Sequence, residues 1–437
     1  MHDPAISPPI QQALGNAVQQ AVKANSCGRS DLAIYRTGEV LKNSSLFEHP
    51  ATTSPLQQQL ALALARVGAL DEAAEVLRDL LVASTPDGET FGLLGSVCKR
   101  LSESVTDCEA RELHLRNARD FYDAGFTRYR DPYCAINAAA CHALLGDHEA
   151  AAVVAGEVLA LPPTGDAYWD AATRAEALLL RGMTEQALTA YSEVVQKAGD
   201  RWADLGTTRK QCRKICANLS ADPTPFDALF GVWSVAMVSS CAGHSVDRND
   251  FAEHTLEWLR RRGAICVWIS VGTDPIVGIK AIEAGIETCV VLPAPRSKFT
   301  RKIEAQECDP LRNDWQHVVD NARTVVEMDN SSVSPRNESG TVLRQMTKNA
   351  ASRASALSCP LHGLVCGPDE LKVPESWQHS GVIVDVLETG GGTLEWRAFT
   401  AVDKGSDGHS DTTADRSVRT AGIFRALVEE LSRRRYR

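Results

Sequence analysis

The sequence predicts two folds in one chain: a superhelix of paired α-helices, followed by an α/β domain with a parallel sheet. The chain has 437 residues, enough for two or three domains with cores of their own. Residues 11–218 are rich in Ala, Leu, Glu and Gln and contain few strand-like runs. From residue 232 onward, short apolar runs alternate with amphipathic stretches, which is typical of a parallel sheet with helices on both faces.

A recurring frame of small residues defines the helical half. Each copy has a small residue seven positions before a glycine and an alanine five positions after it. The small residues let two antiparallel helices approach closely, and the glycine ends the first helix in a left-handed turn. Four copies keep the frame: Ala21/Gly28/Ala33, Ala61/Gly68/Ala73, Ala139/Gly146/Ala151 and Ala175/Gly182/Ala187. A broken copy begins at Gly95 and resumes at Ala118 and Tyr122, with an insert of about 11 residues.

This frame is that of the tetratricopeptide repeat, in about five copies. Such arrays stack into a superhelix whose concave groove commonly holds a peptide or a partner domain, so we expect a protein or peptide partner there. An irregular helical bundle is the alternative interpretation.

Part of the helical half has a narrower resemblance. Through "ETFGLLGSVCKR", "FYDAGF", "DPYCAINAAACHALLGD" and "DAYWDAATRAEALLLRG", residues 55–220 resemble the TRAF-binding, central regulatory region of apoptosis-signal-regulating kinases. The resemblance implies a role in protein interaction or sensing. It does not imply a kinase, because the chain shows no Gly-rich ATP loop followed by a strand lysine, no His-Arg-Asp and no Asp-Phe-Gly.

A domain boundary is predicted at "SADPTPFDALFG", where two prolines interrupt the helical pattern. We expect a helical array over residues 1–220, a linker over 221–231 and the α/β domain over 232–437, with its core at 232–330. Strands are predicted at 232–240, 264–270, 286–293, 323–328 and 380–388, and helices at 250–263, 274–285, 314–322, 341–358 and 418–435.

Two loops of the predicted sheet lie where such folds bind ligands, beyond the carboxyl ends of the strands. One runs from Ser239 to Arg248 and the other covers residues 270–274. Small residues let backbone N–H groups approach an anion, and the N-terminus of the following helix adds favourable partial charge. The candidate ligand-binding residues are Ser240, Gly243, His244, Arg248, Ser270, Gly272, Thr273 and Asp274.

Two of these candidates have equally good structural interpretations. Asp274, followed by Pro275, is a suitable N-cap for the next helix. Arg248 can hold a phosphate with two hydrogen bonds, or it can pair with Asp250 or Glu253 at the surface.

Residues 230–330 resemble the Rossmann-like domain of the SMF/DprA and LOG type, abbreviated SLOG. The matching segments are Cys241-Ala242-Gly243-His244, Val271-Gly272-Thr273-Asp274 and Val291-Leu292-Pro293. The first segment departs from the family pattern, because Ala242 replaces the serine of Ser-Gly-His. The resemblance implies a nucleotide-like ligand whose phosphate lies on the backbone of the Gly243 and Gly272 loops, with His244 and Arg248 as polar contacts. No cofactor is certain.

An alternative function comes from "LETGGGTLEWRAF" at 387–399, which resembles the Pro-Gly-Gly-x-Gly-Thr-x-x-Glu loop of LOG-type phosphoribohydrolases. There the glutamate takes part in glycosidic cleavage, and Glu395 is its counterpart here. Thr389 replaces the proline, and one residue is missing before the threonine. The same glycines equally suit a hairpin turn. An N-glycosidase using Glu395, or a scaffold without a ligand, is therefore the alternative to a sensor.

Composition argues against several classes of protein. The net charge of −10 disfavours general nucleic-acid binding. No apolar run approaches the roughly 20 residues of a membrane span, and the N-terminal residues lack a signal-peptide pattern. Thirteen scattered cysteines indicate reduced thiols in a cytoplasm. The pair Cys212 and Cys216, and the group Cys359, His362 and Cys366, each lack ligands for a metal site, so none is predicted. We expect a cytoplasmic signalling or stress-response sensor rather than an enzyme.

Overall fold

The computed structural model describes residues 8–42, 50–83, 86–240, 247–270, 273–304, 311–328, 335–367, 374–378, 382–390 and 393–398. The chain divides into two compact units. The repeat unit holds the residues up to Gly231 together with Ala356–Ser358. The sheet unit holds Val232–Ser355 and the described residues from Cys359 onward.

The repeat unit is a succession of helices in which each helix packs against its neighbours in the chain. Their bounds are α1 Pro8–Ser26, α2 Ser30–Leu41, α3 Pro50–Arg66, α4 Leu70–Ala83, α5 Gly88–Ser104, α6 Cys108–Tyr129, α7 Pro132–Leu144, α8 His148–Leu159, α9 Ala167–Leu180, α10 Thr184–Ala198, α11 Trp202–Asn218 and α12 Thr224–Phe230.

The frame of small residues has the structural role that the sequence predicts. The four frame glycines, Gly28, Gly68, Gly146 and Gly182, all have φ between 72° and 87° at the turn between paired helices. The eight frame alanines are at most 1% exposed, so the helices meet at their Cβ atoms. The helical superhelix of tetratricopeptide type is confirmed.

The broken copy is built from the pair α5 and α6. The insert lengthens α6 to 22 residues. Gly95 takes the place of the small frame residue, because a Cβ there would lie 2.8 Å from the ring of Tyr122. Gly92 faces Tyr133, and Gly125 faces Cys134, at still shorter Cβ distances. Glycines therefore replace the usual alanines where large side chains fill the space between helices.

The segment predicted as a linker, residues 221–231, contains the short helix α12. Phe226 and Phe230 of α12 are buried and pack edge-on against Tyr191 of α10. The segment thus covers the last helix pair of the repeat unit, and the sheet unit starts at Val232.

The sheet unit contains a mixed sheet with strand order β4-β3-β2-β1-β5-β6-β7. Strands β1 to β6 run parallel and β7 is antiparallel to β6. The strands are β1 Ser234–Ser240, β2 Ala264–Ser270, β3 Glu287–Leu292, β4 Thr324–Glu327, β5 Leu361–Gly367, β6 Ile383–Gly390 and β7 Thr393–Ala398. The helices are α13 Arg248–Arg261, α14 Pro275–Glu283, α15 Arg296–Glu304, α16 Arg312–Asn321, α17 Pro335–Leu357 and α18 Glu375–Gln378.

One face of the sheet carries a core shared by α13, α14, α15 and α16. Phe251, Trp258, Val277 and Trp315 of these helices belong to one buried cluster with strand residues such as Val238. An open parallel sheet with helices packed on it confirms the Rossmann-like fold class. The helix predicted at 418–435 lies outside the described residues.

Sequence reasoning missed β5. The sequence of "CPLHGLVC" contains possible metal ligands but does not indicate a strand. In the structure, residues 361–367 of this segment form a strand between β1 and β6. His362 and Cys366 are buried in this strand. Within the described ranges, neither joins a group of side chains with metal-ligand spacing.

Candidate functional site

The predicted ligand-binding edge of the sheet lies at β1, where the order of the strands reverses. From β1 the chain proceeds outward through β2, β3 and β4, and then returns to place β5 on the other side of β1. In open α/β sheets, the crevice beyond the carboxyl ends of two such strands is the usual ligand site. Ser240 ends β1 and pairs in register with Cys366, one residue before β5 ends at Gly367. Gly243 and His244 follow β1 directly, within residues 241–246, which lie outside the described residues.

The second predicted loop is tied to the first strand by hydrogen bonds. The Thr273 hydroxyl donates to the Val238 carbonyl at 2.8 Å, and its backbone N–H donates to the Ser270 carbonyl at 2.8 Å. Ser270 and Thr273 are both buried. These bonds place the start of α14 beside the carboxyl end of β1. Gly272 lies outside the described residues.

Arg248 and Asp274 bind one another. The guanidinium donates through Nε to Asp274 Oδ2 at 2.7 Å and through Nη2 to Asp274 Oδ1 at 2.8 Å. Nη2 also donates to Asp314 Oδ2 at 2.6 Å. The hydrogen bonds to Asp274, aided by those to Asp314, raise the pKa of Arg248. This group ties the N-termini of α13, α14 and α16 together.

Asp274 is also the cap of α14, since its side chain accepts a hydrogen bond from the Ile276 N–H at 3.0 Å. The structure thus gives both residues the structural roles that the sequence left open. Arg248 pairs with Asp274 and Asp314, not with Asp250 or Glu253, within the described residues. Asp314 was missed, because nothing in the sequence around it marks a site.

Glu395 lies on β7, directly paired with Glu388 of β6 in an antiparallel register that continues to Gly390 and Thr393. The glycine segment therefore joins two antiparallel strands, as in the hairpin interpretation. β7 is separated from β1 by β5 and β6. At about 4.8 Å per strand spacing, Glu395 stands roughly 14 Å along the sheet from the end of β1.

A second candidate site is a pocket of about 380 Å³ in the groove of the repeat unit, where the repeat pattern predicts a protein or peptide partner. Its walls come mainly from α1, α3, α5, α7, α9 and α11, the first helix of each successive pair. This is the concave side of the array, where tetratricopeptide proteins bind their partners.

Contacts between early and late helices narrow the pocket. Arg66 of α3 donates to Asp204 of α11 at 2.6 Å, and both side chains are buried. Arg201 donates to the second oxygen of Asp204 at 2.9 Å. Helix α1 also contacts α11, where Lys23 pairs with Asp200. These contacts narrow the groove to a pocket that remains partly open to solvent.

Cations dominate one part of the pocket. Lys210 and Lys214 of α11 both pair with Glu103 of α5. These two charges outweigh the effect of burial and lower the pKa of Glu103 to about 2. Burial lowers the pKa of Lys214 to about 8, and Lys99 adds to this because it is a like charge.

Lys99 and Arg100 complete this cationic cluster. The Lys99 ammonium donates to the amide oxygens of Asn137 at 2.7 Å and Gln211 at 3.2 Å. The half-buried guanidinium of Arg100 makes no hydrogen bond with the described part of the chain, although the charge of Glu103 acts on it. Burial, followed by the charge of Arg66, lowers the pKa of Arg100.

Two pocket carboxyls hold protons unusually well. Burial raises the pKa of Glu176 to about 7, although Lys99 and a 3.0 Å hydrogen bond from Gln211 oppose the change. The side chain of Glu89 is exposed but lies in the pocket, where the surrounding protein removes part of its hydration. Together with the charges of Asp131 and Asp87, this raises the pKa of Glu89 to about 7.

Two thiols and a carboxylate meet elsewhere, on the sheet. Cys266 and Cys289, on neighbouring strands, have sulfur atoms 3.8 Å apart, and Glu287 lies close by. The side chain of Glu287 accepts a hydrogen bond from Arg353 of α17 at 2.8 Å. The hydrogen bond to Cys289, together with burial, keeps the pKa of Cys266 well above its usual value. Cys266 is therefore a protonated thiol of the core.

A known family matches part of the repeat unit. Residues 32–142 match the family described as Tetratricopeptide Repeats-Sensor, TPR-S. Among solved structures, a thermophilic tetratricopeptide protein of Thermus thermophilus is 20% identical, with a TM-score of 0.36 over 47% of this chain and 99% of its own. A mutant O-GlcNAc transferase of Thermobaculum terrenum is 10% identical, with a TM-score of 0.22, over 71% of this chain and 59% of its own.

Haemophilus influenzae LpoA is 9% identical, with a TM-score of 0.22, and the alignment covers 82% of each chain. No curated protein matches the sequence. The tetratricopeptide repeats indicate a role in protein interaction. Among the described helices, none is long and apolar enough to cross a membrane.

Proposed function

We propose that this chain is a two-part sensor, in which the sheet unit binds a nucleotide-like ligand by its phosphate and the repeat unit engages a protein partner. The observation that carries the proposal is the strand order. β1 lies between β2 and β5, so its carboxyl end borders the crevice where such sheets hold ligands. The resemblance to SLOG domains in the same segment supports a nucleotide-like ligand.

The proposed phosphate contacts are backbone N–H groups in the two loops beyond β1 and β2. The N-termini of α13 and α14 follow these loops, and their partial positive charge favours an anion. In the first loop, the proposed ligand-binding residues are Ser240, Gly243 and His244. In the second loop, they are Ser270, Gly272 and Thr273. We assign Arg248 and Asp274 mainly to holding the helix N-termini in place, because each already binds the other.

The resemblance of the repeats to the central regulatory region of apoptosis-signal-regulating kinases supports a role in stress signalling. In this proposal the protein is cytoplasmic, and nucleotide binding to the sheet unit changes the affinity of the repeat unit for its partner. An N-glycosidase is not proposed, because Glu395 stands two strands beyond the pair that forms the crevice.

Calorimetry on the full chain with AMP, ADP, ATP, GTP and NAD tests this proposal. At least one nucleotide binds, and Gly272→Asp weakens that binding roughly tenfold to hundredfold, because a carboxylate then faces the phosphate. His244→Ala weakens it by a smaller factor.

Matched controls lie on the repeat unit. Gly15 is exposed with no atom within 4 Å of an added Cβ, and His148 is exposed at the start of α8. Gly15→Asp and His148→Ala should therefore bind as the original protein does. The proposal fails if no nucleotide binds, or if Gly272→Asp binds as tightly as Gly15→Asp.

A further inference from the structure

We propose that the interior pocket of the repeat unit binds a small organic anion, whose phosphate or carboxylate group is held by Lys99 and Arg100. This site goes beyond the proposed function: it lies in the other unit and takes a second ligand. The repeat unit then responds to a small molecule as well as to a protein.

The size of the ligand follows from the contacts that cross the groove. An extended peptide needs a groove that is open along its length, but the Arg66–Asp204 and Lys23–Asp200 pairs join early helices to α11 and its approach. The pocket volume of about 380 Å³ falls within the range of about 300–1,000 Å³ that small-molecule sites occupy. A small molecule therefore fits better than a chain segment.

The charge of the ligand follows from the partners of the cations. Two carboxyls lie beside Lys99, Arg100, Lys210 and Lys214: Glu103, which the two α11 lysines already bind, and Glu176, whose pKa of about 7 leaves it only partly ionised at neutral pH. Lys99 has only neutral amide acceptors, and Arg100 has no acceptor among the described residues. A partly buried cation whose charge is incompletely paired is costly, and an anionic ligand lowers that cost.

The helix dipole does not account for these two side chains. Cations favour the last turn of a helix, where they meet the exposed carbonyl groups. Helix α5 ends at Ser104 and has no basic residue in its last turn, so Lys99 and Arg100 lie before that turn. Their position within the pocket, rather than at a helix end, indicates a binding role.

The body of the ligand meets apolar side chains. Leu93, Ile136 and Tyr133 line the same pocket between the cationic cluster and the N-terminal ends of α5 and α7. Such a mixture of apolar walls with a few convergent polar groups is typical of sites for organic molecules.

Calorimetry on the full chain, with inorganic pyrophosphate and citrate as separate probes, tests the assignment and distinguishes phosphate from carboxylate. At least one probe binds, and Lys99→Met and Arg100→Gln each weaken its binding roughly tenfold to hundredfold. Lys197→Met and Arg116→Gln are the matched controls, since both remove exposed cations outside the pocket and should leave binding unchanged.

A second measurement separates a binding role from a structural one. Without a ligand, Arg100→Gln removes an uncompensated charge, so it should raise the melting temperature of the repeat unit by about 2 °C. A structural arginine would instead lower this temperature when replaced.

Failure here can be told apart from failure of the nucleotide proposal. Probe binding should survive Gly272→Asp, which affects the sheet unit alone. The inference is overturned if neither probe binds, if Arg100→Gln binds as tightly as Arg116→Gln, or if Gly272→Asp abolishes probe binding while Arg100→Gln keeps it.

Discussion

Glu176 shows how one side chain links the pocket to pH. It is a buried carboxyl whose pKa is raised from 4.5 to about 7, with Lys99 and Gln211 as its polar neighbours in the pocket. At pH values between 4.5 and about 7, the Glu176 carboxyl stays protonated in the folded protein but releases its proton in the unfolded chain. The free energy of unfolding therefore falls as pH rises through this window, by up to about 3 kcal/mol in total.

Glu176→Gln should remove this pH dependence. The amide stays neutral and still accepts the hydrogen bond from Gln211. Urea unfolding at pH 8 should show a gain of about 2–3 kcal/mol for the repeat unit, and the gain should vanish near pH 4. Glu185→Gln, at an exposed position on α10, should show no such trend. A gain that stays equal at both pH values would contradict the assignment.

At the scale of the helix pair, the frame glycines and alanines act locally, and the sequence therefore predicts them well. Gly146 ends the turn after α7 with φ of 86°, a conformation that costs an ordinary residue about 1–2 kcal/mol. Gly156 lies within α8, where an added Cβ meets nothing closer than 4.0 Å. Gly146 and Gly156 belong to the same helix pair. The backbone at Gly146 requires glycine, whereas the position of Gly156 accepts a larger residue.

Replacing each glycine by alanine should have opposite effects. Gly146→Ala should lower the free energy of unfolding by about 1–2 kcal/mol, because alanine strains the left-handed turn. Gly156→Ala should raise it by roughly 0.5–1 kcal/mol, because alanine favours the helix. Thermal or urea unfolding measures both. Equal effects of the two changes would show that the turn does not depend on glycine.

The elements of the sheet were predictable where burial gives a continuous apolar run. β1, β2 and β3 have such runs, and the sequence predicts each to within two residues. β5 has Pro360 before it and contains His362 and Gly363, so its composition does not indicate a strand. Its burial comes from lying between β1 and β6, a property of the whole sheet.

At the scale of the whole chain, both candidate sites depend on contacts between distant residues. The pair of Arg66 and Asp204 joins residues 138 positions apart, and Arg248 reaches Asp314 across 66 positions. Spacing along a single sequence reports only local structure, so the strand ends before the two candidate loops were predictable, while the contacts that shape the pocket were not. The loops follow strands, whereas the pocket needs the whole array.

We propose that the carboxyl edge of the sheet beside β1 binds a nucleotide. Hydrogen–deuterium exchange of the full chain, with and without each of AMP, ADP, ATP, GTP and NAD, tests it most directly. With at least one of these nucleotides, we expect slower exchange in the segments 239–248 and 270–274. We expect this protection to be lost in Gly272→Asp. Unchanged exchange in both segments with every nucleotide would contradict it.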